Sequence, residues 1–337
     1  LLVTETVEFR PAVAYFGWLF VVPLRHTLRR GGEGTPWWAP PVRLDSRAAS
    51  VLGALALLAV VFGYLNTLFT QTIAFAGEEF GAGNSAQGLA GSVVRIGGIV
   101  ALLVMTTADR RGRRRVVLAT ALAGSRLAVT GALSTSLAQL TVTQMLARGF
   151  ASALLVLVTI MAAEEVPAGS RAYAVSLLAM AGGLGAGICV MALRLADLGP
   201  AGWRLLYLVP ALALPALASV RHRLPESRRF VAPHGSAEIS GHGGRLLLLA
   251  ASGLLANLFV APQSQFGNRF LRMERGFSGG RIGLFSVVVG TPAAIGIVVG
   301  GHFADVRGRR LVAAVALVGG TICTLCFFFA TGWTVWV

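Results

Sequence analysis

The fold of this chain is indicated by a short basic segment that occurs twice, as DRRGRR at residues 109–114 and as DVRGRR at residues 305–310. Each copy lies between two long apolar runs and is therefore predicted to be a tight loop between helices. Its glycine permits a sharp reversal of the backbone. Its aspartate stands at a helix end, where a neighbouring helix N-terminus or an arginine can pair with it. The repeat predicts two related halves that carry the same loop.

The apolar runs around these loops are long enough to cross a membrane. The chain has 337 residues, of which 55% are hydrophobic and 13% charged, and its mean hydropathy is +0.73. Soluble domains carry about 25% charged residues. One run has no charge over the 30 positions between Arg47 and Glu78. About 20 apolar residues span a bilayer, and their backbone groups must be satisfied within the segment. The runs therefore predict membrane-spanning helices.

We predict an all-α polytopic membrane protein with nine complete spans and the start of a tenth. The predicted spans lie at about 49–76, 88–107, 116–137, 140–162, 172–193, 205–220, 246–263, 282–301 and 311–331. Six spans separate the two copies of the loop, which predicts two parallel six-helix bundles. The predicted domains are an N-terminal segment at 1–47, a first bundle at 48–220, a cytoplasmic linker at 221–244 and part of a second bundle at 245–337. The apolar stretch at 11–24 is too short to span, so it is either an interfacial helix or a poorly ordered tail.

The distribution of arginine predicts the orientation of the spans. All 29 basic residues are arginines; 14 lie in the loops after spans 2, 4, 6 and 8, six in the N-terminal segment and six in the opposite loops. The positive-inside rule then places the N-terminus in the cytoplasm. The net charge of +15 arises from these short loops, so we expect no nucleic-acid partner. We expect a plasma membrane, specifically a bacterial inner membrane.

This plan resembles the major facilitator superfamily, whose members have two six-helix halves with a Gly-x-x-x-Asp-Arg-x-Gly-Arg-Arg loop after spans 2 and 8. The second copy matches from Gly301 to Arg310 except at Val306, whereas the first has Met105 in place of the leading glycine. The segment GWR at 202–204 and the segment PESRR at 225–229 are similar to the sugar-porter and metabolite–proton symporter branches. The family has twelve spans, so the resemblance implies that this chain is truncated at its C-terminus.

The two loops predict a conformational latch that holds the halves together on the cytoplasmic side. Resemblance to the family adds a Glu-x-Pro…Arg pattern after span 4. The predicted latch residues are Asp109, Gly112, Arg113, Arg114, Glu165, Arg171, Gly301, Asp305, Gly308, Arg309 and Arg310. The alternative is that these arginines only anchor the loops at the membrane surface.

Polar side chains within the spans predict a substrate cavity, because charges inside a membrane are costly and mark function by default. Arg148 lies near the middle of span 4, where family members often carry an arginine, and the resemblance implies that spans 1, 4 and 7 line the central cavity. The predicted lining is Asn66, Thr70, Gln71, Arg95, Gln144, Arg148 and Asn257. The alternative role of the buried amides is hydrogen bonding between helices.

The resemblance implies a secondary active transporter that moves a small organic solute, such as an anionic metabolite or a drug-like compound, by alternating access. The expected partners are the lipid bilayer and this small-molecule substrate, and the oligomeric state is left open. Proton coupling is a hypothesis, because no acidic residue lies in mid-span; its carriers would be Glu164, Glu165 or residues beyond Val337. The alternative function is a non-transporting sensor or scaffold.

The sequence argues against an enzyme and against a cofactor or metal site. It has no apparent pair of carboxylates and no apparent Ser/His/Asp set. It also has no lysine, so it cannot form a Gly-x-x-x-x-Gly-Lys phosphate loop. The three cysteines lie in apolar runs without an accompanying histidine.

Overall fold

The computed structural model describes residues 11–29, 39–227, 243–244, 246–256, 258, 271, 275–276 and 279–329. Over these residues the regular structure is helical. The helices are α1 (Gly17–Arg29), α2 (Ser46–Glu79), α3 (Asn84–Ile96), α4 (Gly98–Arg111), α5 (Arg113–Thr130), α6 (Leu137–Glu165), α7 (Arg171–Ala192), α8 (Trp203–Arg223), α9 (Leu246–Ala256), α10 (Gly279–Arg307) and α11 (Arg309–Phe329). Short 3₁₀ turns lie at Gly131–Leu133, Ala168–Ser170 and Leu193–Leu198.

Eight helical segments of the described chain are long and apolar enough to cross a membrane. They are Ser46–Glu79, Ser85–Ala108, Arg113–Leu133, Leu137–Glu165, Ala168–Ala196, Trp203–Arg223, Leu284–Arg307 and Arg309–Phe329. They coincide with predicted spans 1 to 6, 8 and 9, and the prediction of an all-α polytopic membrane protein is confirmed. Span 7 is described only as the short apolar helix α9, and the start of the tenth span lies outside the described residues.

Helix α2, which follows its cap residue Asp45, forms the centre of the first six spans, called here the first bundle. The Asp45 carboxylate accepts a hydrogen bond from the backbone N–H of Ala48 at 2.6 Å, which caps the helix. Leu55, Leu58 and Leu68 of this helix are completely buried. The division of the chain into an N-terminal segment, two bundles and a linker stays a prediction; helix α8 runs on to Arg223, and residues 228–242 lie outside the described part.

Glycines let α2 and α7 approach until their backbones touch. A Cβ atom added at Gly185 would collide with the carbonyl of Val60, and one added at Gly63 would collide with the carbonyl of Gly182. Small residues at helix crossings allow such close packing in membranes, where the lipid is as apolar as the side chains. Of the four glycines in this part of span 5, Gly183 and Gly187 have nothing within 4 Å of an added Cβ.

A second close crossing joins span 2 to span 4. Span 2 is divided at Gly97 into α3 and α4, and a Cβ atom added there would collide with the carbonyl of Met145 in α6. A Cβ atom at Gly149 would lie 2.5 Å from the carbonyl of Gly97. Arg95, two residues before the break, lies within electrostatic reach of Arg148 of α6.

Trp203 and Arg204, two residues of the segment that resembles the sugar porters, hold together the end of the first bundle that is predicted to face outward. Trp203 Nε1 and Arg204 Nη2 donate to the two carboxylate oxygens of Glu79, at 2.6 and 2.7 Å. Arg204 Nη1 also donates to the carbonyls of Ala132 and Ser134, at 2.8 and 2.7 Å. These contacts tie the start of α8 to the end of α2 and to the turn that follows α5.

The N-terminal segment contains a helix, α1, which begins later than the predicted apolar stretch at 11–24. Just before it, Ala14 is buried, and the Tyr15 hydroxyl is 2.7 Å from that of Ser219 in α8. Trp18 and Val22 of α1 remain 71% and 74% exposed. The helix is therefore docked at its start and presents apolar side chains outward, while its location at a membrane interface stays a prediction.

Candidate latch and substrate site

The two copies of the basic loop adopt the same unusual backbone conformation. Gly112 has φ of 92° and Gly308 has φ of 96°, in a region that residues with a Cβ rarely adopt. Each glycine separates two helices with a single residue, α4 from α5 and α10 from α11. The repeat in the sequence is thus also a repeat in the structure, and the glycine is what permits each reversal.

Asp305 of the second loop caps a helix in the other half of the chain. Its carboxylate oxygens accept hydrogen bonds from the backbone N–H groups of Ala172 and Tyr173, at 3.2 and 2.8 Å. These groups belong to the first turn of α7, whose own cap residue, Ser170, bonds instead to the backbone of Val42. The Asp305 side chain is 2% exposed, and Arg309 lies 3.6 Å from it. A negative charge at a helix N-terminus also interacts favourably with the helix dipole.

Gly301 lies one turn before Asp305 at the point where α10 crosses α7. A Cβ atom added there would collide with the Ser176 side chain and would lie 2.9 Å from the carbonyl of Ala172. The leading glycine of the family pattern therefore permits direct contact between the two halves at this loop.

We expect Gly301→Val to weaken this contact strongly and Gly300→Val to be tolerated. Nothing lies within 4 Å of a Cβ atom added at Gly300, so the two variants differ in packing but not in the residue introduced. A collision with a backbone carbonyl costs about 1–3 kcal/mol or more, because helices must shift. Transport by the purified variants in proteoliposomes, with yield of monodisperse protein as a folding control, tests the difference. Equal activity of the two variants would contradict it.

The first copy of the loop binds acidic residues that lie at the ends of spans 4 and 6. Arg113 forms an ion pair with Glu164, which also accepts a hydrogen bond from Ser227 Oγ at 2.5 Å. The Arg114 backbone N–H donates to Glu226 Oε1 at 3.0 Å. Sequence reasoning did not identify Glu226 as a partner, although the Pro-Glu-Ser segment that contains it was one of the marks of the resemblance. The side chain of Asp109 lies outside the described part of the structure.

Glu165, a predicted latch residue, is paired with an arginine that precedes span 1. Arg47 Nη2 and Nε lie 3.4 Å from the two carboxylate oxygens of Glu165, and Nη2 also donates to the Glu226 carbonyl at 3.2 Å. The N-terminal segment therefore contributes to the same cluster as the first loop. Arg171 and Arg310 are exposed. The geometry brings most of the predicted set to one end of the molecule, while its role as a latch stays a prediction.

Among the predicted cavity residues, Arg148 of span 4 contacts the backbone of Asn66 in span 1 and interacts electrostatically with Arg95 of span 2. Arg148 is half-buried, and its Nη1 donates to the backbone carbonyl of Asn66 at 3.4 Å. Arg95 lies within electrostatic reach of Arg148. In the part of the chain that the structure describes, no carboxylate oxygen lies within 4 Å of the Arg148 guanidinium. The site can therefore offer positive charge to an anionic group.

The other predicted cavity residues are not all part of this group. Thr70 is exposed one turn beyond Asn66, and Gln71 is half-buried beside it. Gln144 is 2% exposed, with its amide packed near Gly131 inside the first bundle and without a hydrogen-bond partner there. Asn257 lies outside the described residues. Among the described residues, no group of three His, Cys, Asp or Glu side chains is placed to hold a metal ion.

Solved structures share this fold at low sequence identity. The xylose–proton symporter XylE bound to 6-bromo-6-deoxy-D-glucose matches with a TM-score of 0.62 and 19% identity, over 77% of this chain and 70% of that one. A bacterial homologue of the human lysosomal transporter Spinster, inward-facing and unoccupied, matches with a TM-score of 0.59 and 19% identity, over 78% of this chain and 64% of that one. XylE from E. coli in a partially occluded inward-open conformation matches with a TM-score of 0.52 and 17% identity, over 80% of this chain and 71% of that one.

The extent of these matches varies with the structure compared. This chain spans 48% of a double-tryptophan variant of XylE, which is less than two thirds of its length. A search of curated proteins gave no significant match. The family model of the Major Facilitator Superfamily matches residues 55–337, from the first bundle to the end of the chain. With eight apolar spans among its described residues and the repeated loop as supporting features, this chain belongs to the major facilitator superfamily.

Proposed function

We propose that this protein is a secondary transporter that moves a small organic anion across the membrane by alternating access. Membership of the superfamily and the fold shared with XylE and the Spinster homologue support transport. The sugar bound to XylE is a property of that protein, and at 19% identity the likeness supports the fold alone. The choice of an anion rests instead on the side chains of this chain.

The observation that carries the proposal is the environment of Arg148. An arginine within a membrane span is costly unless it is paired or used. Here its guanidinium reaches a backbone carbonyl of span 1, no described carboxylate lies within 4 Å, and a second arginine, Arg95, lies in electrostatic reach. Two cations that repel each other favour the binding of an anion in their vicinity. A sensor or scaffold with the same fold would have no need of this arrangement.

We expect Arg148→Gln to reduce uptake of an anionic substrate by about tenfold or more. Loss of a charged hydrogen-bonding partner costs about 1.5–3 kcal/mol, and each 1.4 kcal/mol is about a factor of ten. Arg126→Gln in span 3 is the matched control, because this substitution removes the same charge from a side chain that is exposed. Uptake of a panel of organic acids and neutral sugars into proteoliposomes measures the effect. Unchanged transport of every anion by Arg148→Gln would refute an anionic substrate at this site.

A second, more specific part of the proposal is that transport is coupled to the movement of protons. Glu164 and Glu165 lie at the end of α6 that is predicted to be cytoplasmic, and both form ion pairs with arginines. If either carries a proton during the cycle, an imposed pH gradient must change the accumulation of substrate in the same vesicles. Uptake that ignores the gradient would leave transport standing and remove the coupling.

A further inference from the structure

A basic recess opens at the end of the first bundle that is predicted to be cytoplasmic. It has a volume of about 370 Å³ and lies between the ends of α2, α5 and α8. Four of its side chains are basic or titratable: Arg47, Arg114, His222 and Arg223. Among the described residues, no acidic side chain lines it. This recess lies apart from the group formed by Asn66, Arg95 and Arg148 within the spans.

The arginines of the recess are only partly neutralised by their neighbours. Arg114 Nη2 donates to the carbonyl of Arg221 at 2.6 Å, while its buried Nε has no hydrogen-bond partner among the described residues. The Arg223 guanidinium lies over the ring of Tyr15, 5.4 Å from its centroid, with no described carboxylate within 4 Å. Arg47 shares its charge with Glu165 at 3.4 Å, and its side chain is still 46% exposed. The recess can therefore accept an anion.

The surroundings of the recess are those of a membrane surface. Val51 and Leu224 form an apolar part of its lining, at the ends of helices that cross the bilayer. Tyr15, which stacks on Arg223, immediately precedes α1, the helix that presents Trp18 and Val22 outward and carries exposed Arg25 farther along. Aromatic and basic side chains on such a helix are typical of the headgroup region. An anion with acyl chains would place its charge among the arginines and its chains beside α1.

We propose that this recess binds the phosphate of an anionic phospholipid. Arginine is well suited to phosphate, because its planar guanidinium can donate two parallel hydrogen bonds. Basic pockets between membrane helices on the cytoplasmic side are suited to phospholipid headgroups. The site does not depend on the identity of the transported solute, so it would stand if the proposed anionic substrate were wrong.

Native mass spectrometry of the purified protein tests the proposal with dioleoylphosphatidylglycerol and dioleoylphosphatidylcholine as probes. We expect the first to bind more tightly, and Arg223→Gln to weaken it by about fivefold, since one basic residue near anionic lipid contributes about 1 kcal/mol. Arg115→Gln removes the same charge from an exposed residue at the same end that does not line the recess, and should have no effect. Ser50→Glu, which adds a negative charge to the lining, should abolish the preference.

Glycerol 3-phosphate distinguishes a lipid from a soluble phosphate ester. It carries the phosphate without the acyl chains and should displace phosphatidylglycerol only at far higher concentration. Displacement at similar concentrations would show a site for soluble phosphate esters and would contradict a phospholipid as the ligand of the recess. Equal binding of the two lipids, or equal weakening by Arg223→Gln and Arg115→Gln, would overturn the site itself.

Discussion

Gly185→Val is expected to destabilise the first bundle, whereas Gly183→Val should leave its stability nearly unchanged. Both glycines lie in α7, and the same residue is introduced, so the intrinsic helix propensities cancel. At Gly185 the new Cβ would meet the carbonyl of Val60 on α2, and at Gly183 nothing lies within 4 Å. A backbone atom cannot rotate away as a side chain can, so the two central helices would have to separate.

The expected cost of Gly185→Val is about 3 kcal/mol or more, at the upper end for overpacked cores. For a chain of 337 residues that corresponds to a fall of about 4 °C or more in the apparent unfolding temperature. Thermal unfolding followed by the fraction of monodisperse protein measures it. If Gly183→Val lowered the apparent unfolding temperature as much as Gly185→Val, helix propensity rather than the α2–α7 contact would be responsible.

The comparison of these two glycines shows what sequence reasoning could and could not provide. Span 5 contains four glycines, at 182, 183, 185 and 187, and small residues of this kind allow close helix packing, which the structure has. The sequence did not indicate which glycines make it, because that depends on the rotation of α7 relative to α2. Rotation is set by contacts between residues more than a hundred positions apart, such as Gly63 with Gly182.

The same distinction applies to the latch. The motif predicted that an aspartate at the end of span 8 would pair with a helix N-terminus or an arginine, and Asp305 contacts both. The particular helix, α7, could not be inferred, because nothing in its sequence shows that Ser170 is engaged elsewhere. Likewise Arg47 was assigned to the N-terminal segment by position alone, and its pairing with Glu165 follows from how that segment folds back.

Gln144 illustrates a different limit. Its spacing of four residues from Arg148 places both on one face of α6, which predicted a shared cavity. In the structure the two diverge, since Gln144 packs near Gly131 while Arg148 reaches Asn66. One helical turn along α6 is enough to pass from one neighbouring helix to another where helices cross at an angle.

Asp305→Ala is expected to open the contact between the two halves at the second loop. The substitution leaves the N–H groups of Ala172 and Tyr173 without their acceptor, and Ser170 cannot replace it while it bonds to Val42. Hydrogen bonds to a charged group contribute about 1.5–3 kcal/mol, so a loss of about 2–3 kcal/mol would shift the equilibrium between closed and open forms by roughly 50-fold. Asp305→Asn retains one oxygen acceptor, so its shift in this equilibrium should lie between those of the unchanged protein and Asp305→Ala.

Labelling of a cysteine at Ser176 by a membrane-impermeant maleimide measures the opening, because this side chain packs against Gly301 at the contact. The reporter is placed in a background with the native cysteines replaced, and Asp305→Ala should increase its labelling rate. Asp45→Ala is the matched control: it removes another aspartate cap, on Ala48 of α2, that lies within the first bundle. Because that cap does not bridge the halves, Asp45→Ala should lower thermal stability without changing the labelling rate. Faster labelling in both variants would mean that Asp305 stabilises α7 as an ordinary cap. Faster labelling in Asp305→Ala alone requires that the second loop holds the halves together.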